Sequence, residues 1–358
     1  MPDLPRDILI DILLRLPTKS VGQFKSVCKC WFSLISSADF VKLHHRQAIL
    51  DADHYRVLIA SSYSLHSVNF ASLSCYEGFD DDDANAIVSL NNPCEKESVV
   101  YKLWGSCYGL VYFVCYNECI LFWNPTTHIT RLIPASSTSF SDGTRFYGLG
   151  YDHIIDDYKM VRASYSVSAK SISSEVFNLK SHLWKTVQVS HIDINNPVEI
   201  GIFSNVSVHW LASQGGDLNK HNTILSFDVK EELFIETALP NVTYTEYTGF
   251  TCLGDLKGCM YAVYGGSDDI DLDVWVMKEY GVVNSWSKII RLNWVEFDVD
   301  YGMHPLCFIH EDDVVIDLDA WNIVRYNLSS KTMKMFKKCS TDWHLSLVYT
   351  ESLVSPYG

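Results

Sequence analysis

The sequence repeats itself at intervals of about 50 residues. Five segments each contain an aliphatic or aromatic run, a turn residue and a few polar residues before another apolar run: 120–127, 175–180, 224–230, 273–278 and 323–329. Their turn positions, 124, 178, 228, 278 and 327, are 54, 50, 50 and 49 residues apart. Such an interval is typical of the blades of a β-propeller, so the repeat predicts a propeller over most of the chain.

Further apolar runs supply the other strands of each blade. They precede the five segments, at 109–115, 158–166, 206–212, 259–264 and 313–318. Two more runs, at 55–70 and 345–349, are available to close a sixth blade from both ends of the sequence. Four tryptophans fall inside the strand pattern, which predicts a structural role for Trp123, Trp210, Trp275 and Trp286. A pair of β-sandwiches is the alternative, because strand count alone fits either fold.

Two of the repeats also carry a double glycine. Gly215-Gly216 and Gly265-Gly266 are again 50 residues apart, and each is followed by a later Trp or Phe. This pattern resembles kelch repeats, although the other blades lack it. We therefore expect a degenerate kelch-like propeller of about six blades.

The first part of the chain has helical rather than strand spacing. A helix is predicted from Pro5 to about Leu16, where Pro17 stops it and Thr18 can cap the next. Apolar residues then recur at helical intervals as far as Ile35, and a short turn follows. These patterns predict three short helices.

The change of pattern predicts two domains and an α+β fold class. The small helical domain is expected at 1–48 and the all-β domain at 49–358. Charge divides at the same place, because residues 1–48 carry a net +3 and residues 49–358 a net −18. The two parts are therefore different modules.

The first helix has more apolar surface than a module of this size can bury. Most of its apolar residues lie on one arc of about 140°, and the others lie on the opposite side. A small helical unit of three helices buries little surface of its own. Either the β domain or a separate protein must cover the remainder, and periodicity leaves both possibilities open.

The helical module resembles an F-box over its whole length. The resemblance rests on the opening Leu4-Pro5, the second proline at Pro17 and the run Val27-Cys28-Lys29-Cys30-Trp31 with Leu34-Ile35 behind it. It implies a docking surface for the Skp adaptor of a cullin-based SCF ubiquitin ligase. Carried over position by position, the residues facing the adaptor or supporting that face are Leu4, Pro5, Ile8, Leu9, Ile12, Leu16, Pro17, Val27 and Trp31.

The β domain resembles the plant F-box-associated domain of the first type. Its landmarks occur in order at 105–111 with 123–126, at 147–152 with 157–161, at 208–211, and at 274–281 with 285–286. Together with the F-box, the resemblance covers nearly the whole chain. The run Glu351-Ser352-Leu353-Val354-Ser355-Pro356 is also similar to endings in the S-locus F-box group and its relatives.

Net charge limits the classes of partner. The chain has 28 basic and 43 acidic residues, a formal net charge of −15, which disfavours binding to nucleic acid. Acidic runs in the β domain are expected to steer a basic protein substrate toward its loops. The candidate substrate-binding residues are Asp268, Asp269, Asp271 and Asp273.

No pattern indicates catalysis, a metal site or a cofactor. The run 105–109 has the form of a nucleophile elbow around Cys107, but a strand follows where a helix is required. The pairs Cys28/Cys30 and His44/His45 have no second cluster to complete a metal site. We therefore expect a protein that is not an enzyme.

The eleven cysteines are odd in number and have no repeating spacing, which favours a reducing compartment. Asp11 and Arg15 interrupt the apolar stretch near the start, so neither a secretory signal nor a membrane span is predicted there. The expected location is the cytoplasm, the nucleus or both, without membrane attachment.

These observations predict a substrate receptor. The F-box would dock to the Skp adaptor and, through it, to the cullin, while the β domain selects target proteins for ubiquitination and degradation. The rival interpretation is a propeller-fold carbohydrate-binding protein or enzyme with a helical cap at its N-terminal end.

Overall fold

The computed structural model describes most of the chain in two compact units. The described residues are 5–49, 54–61, 64–69, 87–93, 102–115, 119–136, 138, 140, 143–187, 189, 194–214, 222–242, 248–256, 258–266, 271–292, 303–308, 312–318, 322–335 and 344–358. The first unit comprises Met1–Ile133, Ile309–Glu311 and Cys339–Gly358, and the second comprises Pro134–Phe308 and Asp312–Lys338.

The first unit begins with four helices, where three were predicted. They are α1 (Arg6–Leu14), α2 (Thr18–Phe24), α3 (Lys29–Ile35) and α4 (Ala38–Ala48). Helix α4 begins at Ala38, inside the stretch 36–39 where a turn was predicted, and the apolar run as far as Ile35 is divided between α2 and α3. Its N-terminus is capped because the Ser37 hydroxyl accepts a hydrogen bond from the Phe40 amide at 3.4 Å.

The start of α2 also differs from the prediction. Pro17, not Thr18, occupies the N-cap position, and no side chain caps the helix. Thr18 is the first helical residue, fully buried, with its hydroxyl oxygen 3.4 Å from Nδ1 of His54. Its side chain therefore contributes to burial rather than to capping.

The helices share a small apolar core that is completed by a residue from the far end of the chain. Leu13, Val21, Ile35 and Phe40 are at most 2% exposed. Leu353, which follows the last strand, packs into the same cluster. The helical module is thus not closed by its own side chains alone.

The first unit also contains two four-stranded antiparallel sheets. One has the order β24-β1-β2-β3, from β1 (Tyr55–Ser61), β2 (Leu65–Val68), β3 (Ile87–Ser89) and β24 (His344–Thr350). The other consists of β4 (Lys102–Cys107), β5 (Leu110–Val114), β6 (Ile120–Asn124) and β7 (Ile129–Ile133). Strand β1 pairs with β24 from Tyr55↔Thr350 to Ser61↔His344. The prediction of a blade closed from both ends of the chain is confirmed.

The second unit contains four more antiparallel sheets of four strands. They are β8–β11 (Thr144–Asp152, Asp157–Ser166, Ser171–Asn178, Leu183–Val187) and β12–β15 (Ile202–Ser204, Ser207–Ala212, Thr223–Asp228, Leu233–Ala238). The others are β16–β19 (Thr248–Leu256, Cys259–Gly266, Leu272–Met277, Trp286–Leu292) and β20–β23 (Met303–Phe308, Asp313–Leu318, Asn322–Asn327, Thr332–Met335). A short 3-10 turn, Val283–Ser285, precedes β19.

Six four-stranded sheets confirm the prediction of a small helical module followed by a propeller of about six blades, and the β-sandwich alternative is wrong.

The repeated turn residue has a clear physical role. The side-chain oxygen of Asn124 accepts hydrogen bonds from the amides of Thr126 and Thr127 at 2.8 and 3.2 Å. Asp228 does the same for Lys230 and Glu231, at 2.8 Å each. A short polar side chain at this position holds the turn between the third and fourth strands.

Of the four tryptophans predicted to be structural, three are buried. Trp123 is 1% exposed, Trp210 is 0% exposed and Trp286 is 8% exposed. Trp275 is half-buried, and the Lys288 ammonium lies 5.3 Å from its ring centroid. The double glycine at 215–216 lies outside the described residues, whereas Gly265-Gly266 ends β17.

Candidate docking surface on the helical module

Apolar side chains on α1 remain in solvent. Ile8 is 49% exposed and Ile12 is 45% exposed, whereas Leu13 is fully buried. Residues four apart lie on the same side of a helix, so Ile8 and Ile12 form one exposed apolar strip. This strip is one edge of the predicted arc of about 140°; Leu13 of the same arc is buried, and Ile10 and Leu14 from the other side pack against the same core.

A second group of exposed apolar side chains surrounds the start of α3. Val27, in the turn before the helix, is 59% exposed, and Phe32 is 57% exposed. The Cys28 thiol sulfur caps α3 by accepting a hydrogen bond from the Trp31 amide at 3.5 Å. The Trp31 ring packs edge-on against Phe24, with 5.5 Å between the ring centroids. This packing joins α2 to α3.

The structure divides the nine predicted adaptor-facing residues into three groups. Leu4 lies outside the described residues. The exposed members are Pro5, Ile8, Ile12, Pro17 and Val27. Leu9, Leu16 and Trp31 are half-buried and pack against the helical core. All nine remain predictions as contact residues, with the half-buried three placed as support.

Phe32 was not among the predicted residues. Its exposure makes it the fifth apolar side chain among the described residues of the helical module with more than two-fifths of its surface in solvent, beside Ile8, Ile12, Val27 and Leu43. A signal was present in the sequence. Phe32 falls off the core spacing set by Phe24, Trp31 and Leu34, so a large apolar residue there was available for an outside contact.

The candidate acidic site is described only in part. Asp268 and Asp269 lie outside the described residues. Asp271 is half-buried, with a carboxylate oxygen 3.6 Å from Nε of Arg291. Asp273 is 6% exposed and accepts hydrogen bonds from Lys288 at 2.6 Å and from Arg291 at 2.8 and 3.0 Å.

These contacts change the role of Asp273. Burial alone would raise the pKa of its carboxyl, but the hydrogen bonds from Arg291 and Lys288 outweigh it and lower the pKa below its ordinary value. The side chain thus carries a charge that is already neutralised within its own sheet. It joins β18 to β19 through these ion pairs, and its part in substrate binding stays a prediction.

The chemistry-bearing residues noted in the sequence have ordinary surroundings. Cys107 is 3% exposed and ends β4, and a turn leads directly into β5. Burial raises the pKa of its thiol, the opposite of what an activated nucleophile needs. Burial also lowers the pKa of His45 to about 4, and His44 and His54 add to this effect.

Among the described residues, no group of three or more His, Cys, Asp or Glu side chains is placed to hold a metal ion. Likewise, no helix of the described ranges is both long and apolar enough to cross a membrane.

Comparison with known families matches both modules. The family described as F-box domain matches residues 1–43, and the family described as F-box associated beta propeller domain matches residues 56–356. The chain belongs to the plant F-box proteins that carry an F-box associated β-propeller domain.

Relatives from Arabidopsis thaliana match this chain over most of their own length. The F-box protein CPR1 is 26% identical over 390 residues, covering 100% of this chain and 90% of the relative. The F-box/kelch-repeat protein At3g23880 is 32% identical over 302 residues, covering 81% of this chain and 79% of the relative. Among solved structures, the oligogalacturonate lyase of Vibrio parahaemolyticus has a TM-score of 0.46 at 9% identity, covering 82% of this chain and 77% of the lyase. A likeness at that level carries no argument about function.

Proposed function

We propose that this protein is the substrate receptor of a Skp–cullin–F-box ubiquitin ligase. One observation carries the proposal: a module that matches the F-box family leaves Ile8, Ile12, Val27 and Phe32 about half exposed or more. Exposed apolar side chains on small helical elements are what the centre of a protein interface requires. A Skp-type adaptor is the partner that this family implies.

In this role the chain performs no chemistry of its own. The F-box binds the adaptor, which connects it to the cullin, and the β domain holds the target protein. Its contribution to the rate is proximity, because a bound target is presented to the conjugating enzyme at high effective concentration. We place this activity in the cytoplasm or the nucleus, in keeping with eleven cysteines that show no disulfide spacing. A fluorescent fusion found in the secretory pathway would contradict that location.

The docking assignment is tested by adding a charge to the exposed strip. Ile12→Asp and Val27→Asp are expected to weaken binding of a purified Skp-type adaptor about 100-fold each, because an unpaired carboxylate would be buried at the interface. Stability should change little, since both side chains are exposed in the free protein. Affinity is measured by titration calorimetry on the full chain.

The matched control is Leu183→Asp. Leu183 is 66% exposed on β11 in the second unit, so this variant adds the same charge to a comparable apolar surface. Adaptor affinity should be unchanged in it. Unchanged affinity in both Ile12→Asp and Val27→Asp would refute the docking assignment, and loss of affinity in the control would show that the effect is not local.

We further propose that the selected protein presents a basic surface. Residues 49–358 carry a net charge of −18, and charge of one sign accelerates the association of a partner of the other sign. The test requires a substrate recovered by affinity purification from plant cells with the proteasome inhibited. Its association rate should fall as salt shortens the Debye length below about 8 Å.

The variant for this test omits Asp273, because removing its charge would disturb the Lys288 and Arg291 contacts and confuse folding with recognition. Asp268→Asn, Asp269→Asn and Asp271→Asn together should slow association more than they speed dissociation. An association rate that responds neither to salt nor to the triple variant would rule out electrostatic selection.

A further inference from the structure

The residues that follow β24 connect the helical module to a propeller sheet. We infer that Glu351–Gly358, called here the strap, fixes the F-box helices to sheet β4–β7 and so holds the docking surface in one place on the first unit. All contacts of the strap described below lie within this chain, so the inference does not depend on the proposed function. Only the use of the strap to position a bound target rests on that function.

On the helical side, the strap contributes one apolar anchor. Leu353 is 6% exposed and belongs to the core cluster of Leu13, Val21 and Phe40. Among the described residues, every other buried member of that cluster lies in one of the four helices. The strap is also tied to the residues between α4 and β1, because the Glu351 amide donates to the His54 carbonyl at 3.0 Å.

On the sheet side, the Asn124 side-chain amide and the Thr126 hydroxyl bind the start of the strap. Nδ2 of Asn124 donates to the carbonyl oxygens of Ser352 and Val354 at 3.0 and 2.7 Å, and it lies 3.2 Å from the Ser352 hydroxyl. Asn124 and Ser352 are both 0% exposed. Buried backbone carbonyls need a donor, and Asn124 supplies it to two of them.

The identity of residue 124 follows from this contact. At the corresponding turn of another sheet, Asp228 accepts the same pair of backbone amides with a carboxylate. The turn therefore does not require an amide. Position 124 needs one because the strap presents carbonyl oxygens, which a carboxylate would repel.

Gly109 provides the close approach that the strap requires. Its φ of +79° lies in the left-handed region, and a Cβ there would be 2.0 Å from the Ser352 hydroxyl oxygen. Further along, Nη1 of Arg131 donates to the Pro356 carbonyl at 3.2 Å, and the Tyr357 hydroxyl donates to the Thr130 carbonyl at 3.2 Å. Strand β7 thus holds the far end of the strap.

The test changes the sheet side and measures the helices by hydrogen–deuterium exchange on the full chain. Asn124→Asp keeps the acceptor oxygen for the turn but removes the donor to the strap. Exchange of the α2–α4 amides should accelerate about tenfold or more, although none of the Asn124 hydrogen bonds reaches these helices. Exchange in β13–β14 should be unchanged. Asp228→Asn is the matched control. It makes the opposite exchange, from carboxylate to amide, at a turn that the strap does not contact.

A reciprocal variant keeps the inference testable if Asn124→Asp does not fold. Leu353→Ala removes the helical anchor and should accelerate exchange of the Thr126 and Thr127 amides in the β6–β7 turn that the strap contacts. Unchanged helices in Asn124→Asp, or a uniform acceleration in all sheets, would overturn the inference. So would an unchanged β6–β7 turn in Leu353→Ala. No adaptor is present in this experiment, so its outcome is independent of the docking assignment.

Discussion

Replacing Trp210 with alanine is expected to lower the free energy of unfolding of the second unit by about 4–5 kcal/mol, near the top of the range for a buried aromatic residue. The indole is 0% exposed, and its ring centroid lies 5.3 Å from that of Phe146 and 6.2 Å from that of Phe234. Nε1 donates to the Tyr147 carbonyl at 2.9 Å. A loss of this size is a large share of the stability of a domain.

The surroundings of Trp210 cannot collapse to fill the space. A Cβ at Gly201 would lie 2.5 Å from the indole nitrogen, and one at Gly148 would lie 2.8 Å from the ring. The two glycines therefore make room for the indole, and its removal leaves a cavity bordered by backbone at these positions as well as by the Phe146 and Phe234 side chains.

The measurement is urea unfolding followed by far-ultraviolet circular dichroism. Trp275→Ala is the control, because this half-buried tryptophan should cost about 1–2 kcal/mol, less than half the loss at Trp210. An unchanged midpoint for Trp210→Ala, with loss of substrate binding, would contradict the structural role and make Trp210 a recognition residue.

The propeller was predictable because its sequence repeat reflects short-range interactions within each turn. Turn residues such as Asn124 and Asp228 bind backbone amides two and three residues on, so a short polar residue of this type recurs at several of the repeated turns. The start of α4 was missed for the converse reason. The run Ser36-Ser37-Ala38-Asp39 fits a turn as well as an N-cap and first helical turn, and only the packing of Phe40 into the helical core decides between them.

The partners of buried polar groups could not be predicted from spacing. Asp273 meets Arg291 because β18 pairs with β19, and a single run of acidic residues gives no indication of that register. The strap is a stronger case. Asn124 and Ser352 are 228 positions apart and share no repeat, so their contact depends on the fold as a whole.

Acidification is expected to destabilise the second unit through His209, by about 2.5 kcal/mol between pH 7.5 and pH 4.5. The imidazole is 0% exposed, and burial lowers its pKa to about 4, although a bond to the Ser204 carbonyl opposes the shift. That carbonyl, 3.3 Å from Nε2, can only accept, so the proton belongs on Nε2. Nδ1 then accepts from the Ser226 hydroxyl at 2.7 Å. The fold therefore holds the neutral form.

The direction of this pH effect follows from the pKa of His209 in the folded and in the unfolded chain. An unfolded chain binds a proton at this histidine below its ordinary pKa of about 6.5, whereas the folded chain does not until about pH 4. Protons therefore favour unfolding throughout this window, and the stability that is present above pH 6.5 is lost progressively as the pH falls. The only charged or titratable group in contact with the ring is the Tyr280 hydroxyl, 3.4 Å from Nε2, among the described residues.

His209→Asn separates this effect from other acid-sensitive groups. The asparagine can keep the contact with Ser226 near the position of Nδ1 but does not titrate. It should be less stable than the natural protein at pH 7.5, yet it should lose about 2.5 kcal/mol less on acidification to pH 4.5, as measured by urea unfolding at each pH. His128→Asn, at an exposed turn with φ +60° that asparagine tolerates, should keep the original pH dependence. Parallel pH profiles for the natural protein and His209→Asn would contradict this prediction. They would mean that the folded state accepts a proton at His209 as readily as the unfolded chain. The buried neutral imidazole would then have no part in the acid sensitivity.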